Sequence, residues 1–301
     1  MNQRVVVVLL LLLAGCSDPI LTFGRPGLGD GEFREPRAVT ASAKGVAVVD
    51  RSGRLQLFDH DGRFVSKFAV AGDNVRRGLP CGVTWLADGT LAVADTHQGY
   101  VRIYDIAGAT VAHLGGFGAE PGQFNMPQRV AELSDGRFAV SDFGTGLCNR
   151  VQVVQRDGTP VRMFGGPEPE NGALERPMGL VARADGSFVV ADQRQGLVVF
   201  GATGAFAGPL GGHEPEPGTL LHGLCRASDG TYYASDIGHD RLLHVAESGA
   251  LLGTFGHSGS EPGEFVEPWD VAWDAGRLYV ADKGNHRVQR IDPDRVKWEA
   301  P

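Results

Sequence analysis

Short apolar runs that end on an acid set the pattern of this chain. "VAVVD", "LAVAD", "FAVSD", "FVVAD", "YYASD" and "LYVAD" close on Asp50, Asp95, Asp142, Asp192, Asp236 and Asp282, and successive acids lie 44 to 50 residues apart. Such short runs, rich in β-branched and aromatic residues and bounded by turn formers, read as buried strands. A second apolar stretch precedes each run. It opens on Pro36, Pro80, Pro127, Pro177 and Pro268, with Leu221 in the same place in the fifth copy. Asp-Gly pairs at 88–89, 135–136, 185–186 and 229–230 join the two stretches as hairpins. A third strand such as "VRIYD" or "VQVVQ" follows. Then come a turn on Gly62, Gly108, Gly158, Gly204 or Gly249 and a fourth strand ending in "FG" or "LG".

Six units of four strands at this spacing predict an all-β fold, a six-bladed β-propeller of four-stranded antiparallel blades. One such sheet cannot bury both faces alone, so the core is expected between blades. The sixth unit stops after its third strand, at "RVQRIDPD", while "ILTFG" at 20–24 matches the fourth-strand pattern "LLGTFG" at 251–256. The N-terminal strand is therefore expected to complete the last blade and close the ring, which removes an open sheet edge. The propeller spans residues 20–294, and residues 295–301 read as a frayed tail.

The pattern Pro-x-[Gly/Asp]-Val followed by "YVADKGNHRVQRID" resembles NHL repeats. The resemblance covers about residues 20–294, is closest in the sixth copy and is degenerate in the first and fourth. It implies a propeller used as an extracellular sensor, a binding scaffold or, in a few members, an enzyme. The recurring Asp, followed by Arg54, Arg150, Arg241 or Arg287 in four copies, reads as a frame. Each carboxylate would bond its Arg and nearby backbone amides. Asp282 and Arg287 belong to that frame, and His286 reads as a solvated loop residue.

Function is better sought where equivalent positions carry different residues. The position after each Pro, or after Leu221, gives Arg37, Cys81, Gln128, Met178, His222 and Trp269. The next gives Ala38, Gly82, Arg129, Gly179, Gly223 and Asp270. Arg37, Gln128, Arg129, Met178, His222, Trp269 and Asp270 are the binding candidates, at the predicted channel mouth. Two guanidinium groups, a flat indole and polar neighbours suit a small anionic or aromatic ligand, or a peptide terminus. The alternative is that these side chains satisfy one another, Arg129 with Asp270. Truncating a mouth Arg is expected to weaken binding and leave the fold intact.

Two enzyme readings fare less well. In the amidating lyase of peptidylglycine processing, a propeller similar to this one, Pro-His in three inner strands supplies a zinc site and a Tyr precedes Cys-Asn. Here the ring offers His222 and Cys81, and Leu147 precedes Cys148-Asn149. Gluconolactonase-type propellers bind a divalent metal through inner-strand carboxylates and amides, and only Asp270 is placed for that. No catalytic residue, metal or cofactor is assigned, and a hydrolase or lyase at the channel mouth stands as the alternative. A looser metal site would form if two or three of His213, His222, His239, His257 and His286 met over blades 5 and 6. The other reading makes each a separate loop histidine.

Composition narrows the partners. With 44 Gly and 17 Pro the chain suits many turns; its net charge is −8, and Lys44, Lys67, Lys283 and Lys297 are its only lysines. A chain without a clustered cationic face is excluded as a nucleic-acid binder. At the N-terminus Arg4 precedes an apolar run over 5–14, which ends in "LAGC" at 13–16. This resembles a bacterial lipobox. The resemblance implies a signal peptide over residues 1–15, lipidation of Cys16 and a linker over 16–19. The body would sit in the cell envelope outside the cytoplasm, with the outer membrane favoured by Ser17 if the host is Gram-negative. The expected partners are then the membrane, through Cys16, and a protein, peptide or small anionic ligand. Of the remaining thiols, Cys81 and Cys148 are a candidate bridge and Cys225 is free.

Overall fold

The computed structural model describes residues 18–70, 79–144, 148–166, 172–212 and 215–301, and these form six four-stranded antiparallel sheets. The innermost strands are Pro36–Ser42, Gly82–Trp85, Met126–Glu132, Pro177–Ala182, Leu221–Arg226 and Pro268–Asp274. Each lies beside the next, and the sixth lies beside the first, so the blades form a closed ring. The second strands Leu91–Asp95, Phe188–Asp192 and Tyr232–Asp236 are buried at every residue. A strand covered by neighbouring blades on both faces needs an unbroken apolar run, which is why these segments do not alternate. Outer strands such as Phe64–Ala69 face water on one side and do alternate. The core is divided into clusters that each join two blades. Between blades 3 and 4, for example, the Phe164 ring lies 5.0 Å from Phe188 and 4.9 Å from Phe200.

The N-terminal strand closes the ring. Ile20–Phe23 pairs antiparallel with Arg287–Ile291 as the outer strand of blade 6, with Ile20 opposite Ile291 and Phe23 opposite Val288. Phe23 then reaches Phe58 of blade 1, ring to ring at 5.1 Å.

The recurring acids are the frame. All six are essentially inaccessible. Asp142 accepts the Asn125 and Met126 amides at 2.8 and 3.0 Å, and Asp192 accepts the Glu175 and Arg176 amides at 2.9 and 2.8 Å. Arg150 and Arg287 each bond their Asp and carry on to carbonyls of the preceding linker: Ala119 and Gln123 for Arg150, Ser260 and Glu264 for Arg287. Blade 2 uses Arg102, which lies farther along its strand than the other frame arginines. Blade 4 has Gly196 at that position, and Asp192 accepts the Arg194 and Gln195 amides instead. Burial raises the Asp142 carboxyl to about 6 against the opposing pull of Arg150.

Two segments differ from expectation. Residues 295–301 are not frayed: Glu299 exchanges two backbone hydrogen bonds with Thr254 at 2.8 and 2.9 Å. Trp298 packs against Tyr233, His244 and Phe255 at 5.3–5.5 Å between ring centroids. Burying an indole offsets the entropy cost of ordering a terminus. His286 is not a free loop residue either. It sits at φ 54°, and its Nδ1 accepts the Glu35 amide at 3.1 Å, joining blade 6 to blade 1. Cys16 and the rest of residues 1–17 lie outside the described residues. Among the described residues no helix is long and apolar enough to cross a membrane.

Candidate functional site

In five blades the inner-strand register slips just after the opening residue, between Pro36 and Ala38, Pro127 and Arg129, Pro177 and Gly179, Leu221 and Leu224, and Pro268 and Asp270. A bulge leaves a residue unpaired and re-aims its side chain. Gln128, Arg129, Met178, His222 and Asp270 thereby meet at the axis, with Cys81, around a space of about 10 Å3. That is room for about one water.

The side chains bind one another. Arg129 of blade 3 meets Asp270 of the opposite blade 6, Nη1 to Oδ2 at 2.6 Å, so an ion pair spans the axis. Asp270 also accepts the Val39 and Val271 amides at 3.0 and 2.9 Å. Burial holds its carboxyl above the usual carboxylate range, only partly offset by Arg129. The close approach needs glycines: a Cβ on Gly82 would lie 2.0 Å from the Gln128 carbonyl oxygen, and one on Gly223 2.6 Å from Asp270 Cα. Trp269 lies between the His222 ring, 4.2 Å away, and Lys283 Nζ, 4.0 Å from its centroid. Arg37 does not join the central group; its Nη1 rests 3.4 Å from Cys81 Sγ. His222 is 5% exposed. Burial holds its pKa down to about 3, partly opposed by a hydrogen bond to the Trp269 backbone, so the imidazole is neutral.

The channel is open at its other end. Where the inner strands finish, a cavity of about 360 Å3 is lined by Thr40, Thr84, Trp85, Glu132, Arg226 and Trp273, with Arg129 shared between the two ends. Arg226 pairs with Glu247 at 2.6 Å, Glu132 accepts the Ala87 amide at 2.6 Å, and Trp273 stacks on Tyr233 at 5.5 Å. Sequence reasoning missed this end because it followed only the strand starts. The signal was there: Thr40, Thr84, Glu132 and Arg226 also vary around the ring, six positions or fewer into each inner strand.

The other candidate ligands do not converge. His239 bonds Asp236 at 2.8 Å, His257 lies 3.4 Å from Glu264, His286 holds the Glu35 amide, and His213 lies outside the described residues. Among the described residues no three His, Cys, Asp or Glu side chains are grouped to hold a metal ion. The described residues therefore do not group into the donor sets of the amidating lyase or of the gluconolactonase-type propellers. Cys81, Cys148 and Cys225 are all unpaired.

The NHL repeat family matches residues 265–291, which include the strand that carries Asp282 and the Arg287 beside it. The protein is a six-bladed β-propeller carrying an NHL repeat. Curated relatives align over short stretches. Protein lin-41 of Caenorhabditis elegans is 53% identical over 51 residues, 16% of this chain and 4% of its own length. NHL repeat-containing protein 3 of Homo sapiens is 32% identical over 93 residues, 27% of each. The propeller thus matches about a quarter or less of the length of these relatives. Solved structures align along nearly the whole ring. A virginiamycin B lyase from Staphylococcus aureus superposes with a TM-score of 0.62 at 13% identity, over 85% of this chain and 94% of that one. A gluconolactonase from Xanthomonas campestris gives 0.65 at 16%, over 87% of both. At such identity the likeness is one of fold.

Proposed function

We propose that this propeller is a binding scaffold, held outside the cytoplasm by a lipid on Cys16, that receives its ligand in the axial cavity where the inner strands end. The observation that carries this reading is the asymmetry of the channel. One end is filled by paired side chains, whereas the other keeps about 360 Å3 lined by two indoles and two guanidinium groups. Concave sites with aromatic walls and a few polar groups suit a small anionic or aromatic ligand, or a peptide end. Crosslinking in the native host, followed by mass spectrometry, tests it. Crosslinks that cluster at Trp85, Arg226 and Trp273 support the scaffold, and crosslinks confined to the outer strands reject it. Cys16→Ser should block acylation and leave an uncleaved precursor or a mislocalised protein. A wild-type protein whose N-terminus carries no lipid mass would refute the anchor.

The fold shared with a lyase and a gluconolactonase keeps a second reading, a hydrolase or lyase working in the channel. Turnover of a streptogramin or a sugar lactone by the purified protein, with divalent metal supplied, would replace the scaffold reading.

A further inference from the structure

One seam of the ring is built differently from three of the others. In three linkers a Phe two residues after a Gly plugs the gap between blades: Phe33, Phe124 and Phe265 are all 0% exposed. Phe124 packs with Val101 and Leu114 of the blade before it. The linker from blade 4 to blade 5 begins the same way, "EPGTL" beside "EPGQF" and "EPGEF", which puts Leu220 in the Phe place. It is two residues shorter before the inner strand. Leu220 therefore stands directly before Leu221 and is 38% exposed.

The gap it leaves is an apolar cavity of about 150 Å3, walled by Leu197, Leu210, Leu221, Leu243 and Val245. Leu197 and Leu210 are the counterparts of Val101 and Leu114. In the plugged seams Gln56, Gln152 and Gln289 bond the linker backbone. Leu243 has replaced that Gln here. The frame arginine has changed partner as well. Arg54, Arg150 and Arg287 donate to linker carbonyls, whereas Arg241 Nη2, at the cavity rim, is held by the carboxylate of Glu216, which is 60% exposed.

We propose that this seam is a binding site for a single aromatic ring bearing a short carboxylate arm. The ring takes the volume that Phe124 or Phe265 fills elsewhere, and a dry apolar cavity of about 150 Å3 accepts one benzene ring. The carboxylate takes the place of Glu216 on Arg241, where a charge-assisted bond is stronger than a neutral one. A free aromatic acid and a peptide ending in Phe share this chemistry.

The test is titration calorimetry on the full-length mature protein with 3-phenylpropanoate, 3-phenylpropanol and a short peptide ending in Phe. The acid is expected to bind at least about tenfold more tightly than the alcohol. Leu243→Phe, which fills the cavity with an apolar residue, should abolish binding of both. Glu216→Gln, which removes the competing carboxylate, should tighten the acid alone. Tighter binding of the peptide than of the free acid would assign the site to chain ends, and the reverse to free acids. No binding of the acid at millimolar concentration overturns the proposal. So does binding that survives Leu243→Phe, or an alcohol that binds as well as the acid.

Discussion

The two ends of the axial channel are built from the same six strands, yet one is packed shut and the other open. At the shut end five of the six inner strands slip register just after their opening residue. Side chains such as Gln128, Met178 and His222 fill the axis, and the opposed blades are tied by Arg129 and Asp270. At the open end side chains such as Glu132 and Trp85 bond outward to neighbouring hairpins, and the space left has room for water. A position that varies around a ring of repeats is thus not by itself a ligand contact. Its residues can differ because they must complement one another across the axis.

The contrast is broken most forcefully at Asp270. Asp270→Ala would leave the Arg129 guanidinium buried and unpaired, a loss of about 3–5 kcal/mol in urea unfolding. Replacing both partners with Leu should recover most of that loss, because a matched apolar pair leaves no buried charge. An Asp270→Ala protein as stable as wild type would mean that the pair does not bolt the axis. The same reasoning corrects the expectation that a mouth Arg could be removed without harm to the fold: Arg129→Ala strands Asp270 just as badly.

A smaller effect appears in acid. His222 is neutral in the fold, with a pKa near 3 against about 6.5 unfolded. Below pH 6.5 the unfolded chain gains a proton that the folded one refuses, so stability falls as pH drops toward 3. At pH 4.5 this amounts to about 2–3 kcal/mol from the one group. Burial of Asp142 acts in the opposite direction between about 3.8 and 6, because there the folded form holds the proton. Comparing wild type with His222→Gln cancels that contribution. The variant should lose the extra acid sensitivity, and parallel stability curves for the two proteins would contradict a buried neutral imidazole.

The smallest change in stability belongs to the open end. Arg226 is about one-third exposed and its partner Glu247 more so, and pairs of that kind contribute about 0–1 kcal/mol. Arg226→Ala should therefore unfold within about 1 kcal/mol of wild type while weakening capture of the crosslinked partner. A variant that keeps full binding removes Arg226 from the site.

Much of this architecture was legible in the order of residues. The acid-terminated runs, the Asp-Gly hairpins and the match between "ILTFG" and "LLGTFG" report local pairing and burial, which are repeated six times and so reinforce one another. The ring positions were also legible, down to the possibility that Arg129 would take Asp270. Whether a side chain turns to solvent or across an axis depends on blade tilt and on the bulges, and neither leaves a mark at a single position. Trp298 was misread because its partners Tyr233, His244 and Phe255 lie far away in sequence, although they are neighbours in space. Leu220 was overlooked because its meaning lies in two missing residues.

The pairing of Ile20 with Ile291 sets an order of events in biosynthesis. The first strand of the ring to leave the ribosome is the last to find its partner, because its complement is made only after all the other blades. Until then the apolar faces of blades 6 and 1 lack their cover, and blade 6 keeps an unpaired edge. A chain stalled or clipped before residue 287 would carry five nearly complete blades and a loose sticky strand. Quality control by proteases or holding chaperones has one late event to monitor, the capture of residues 20–23.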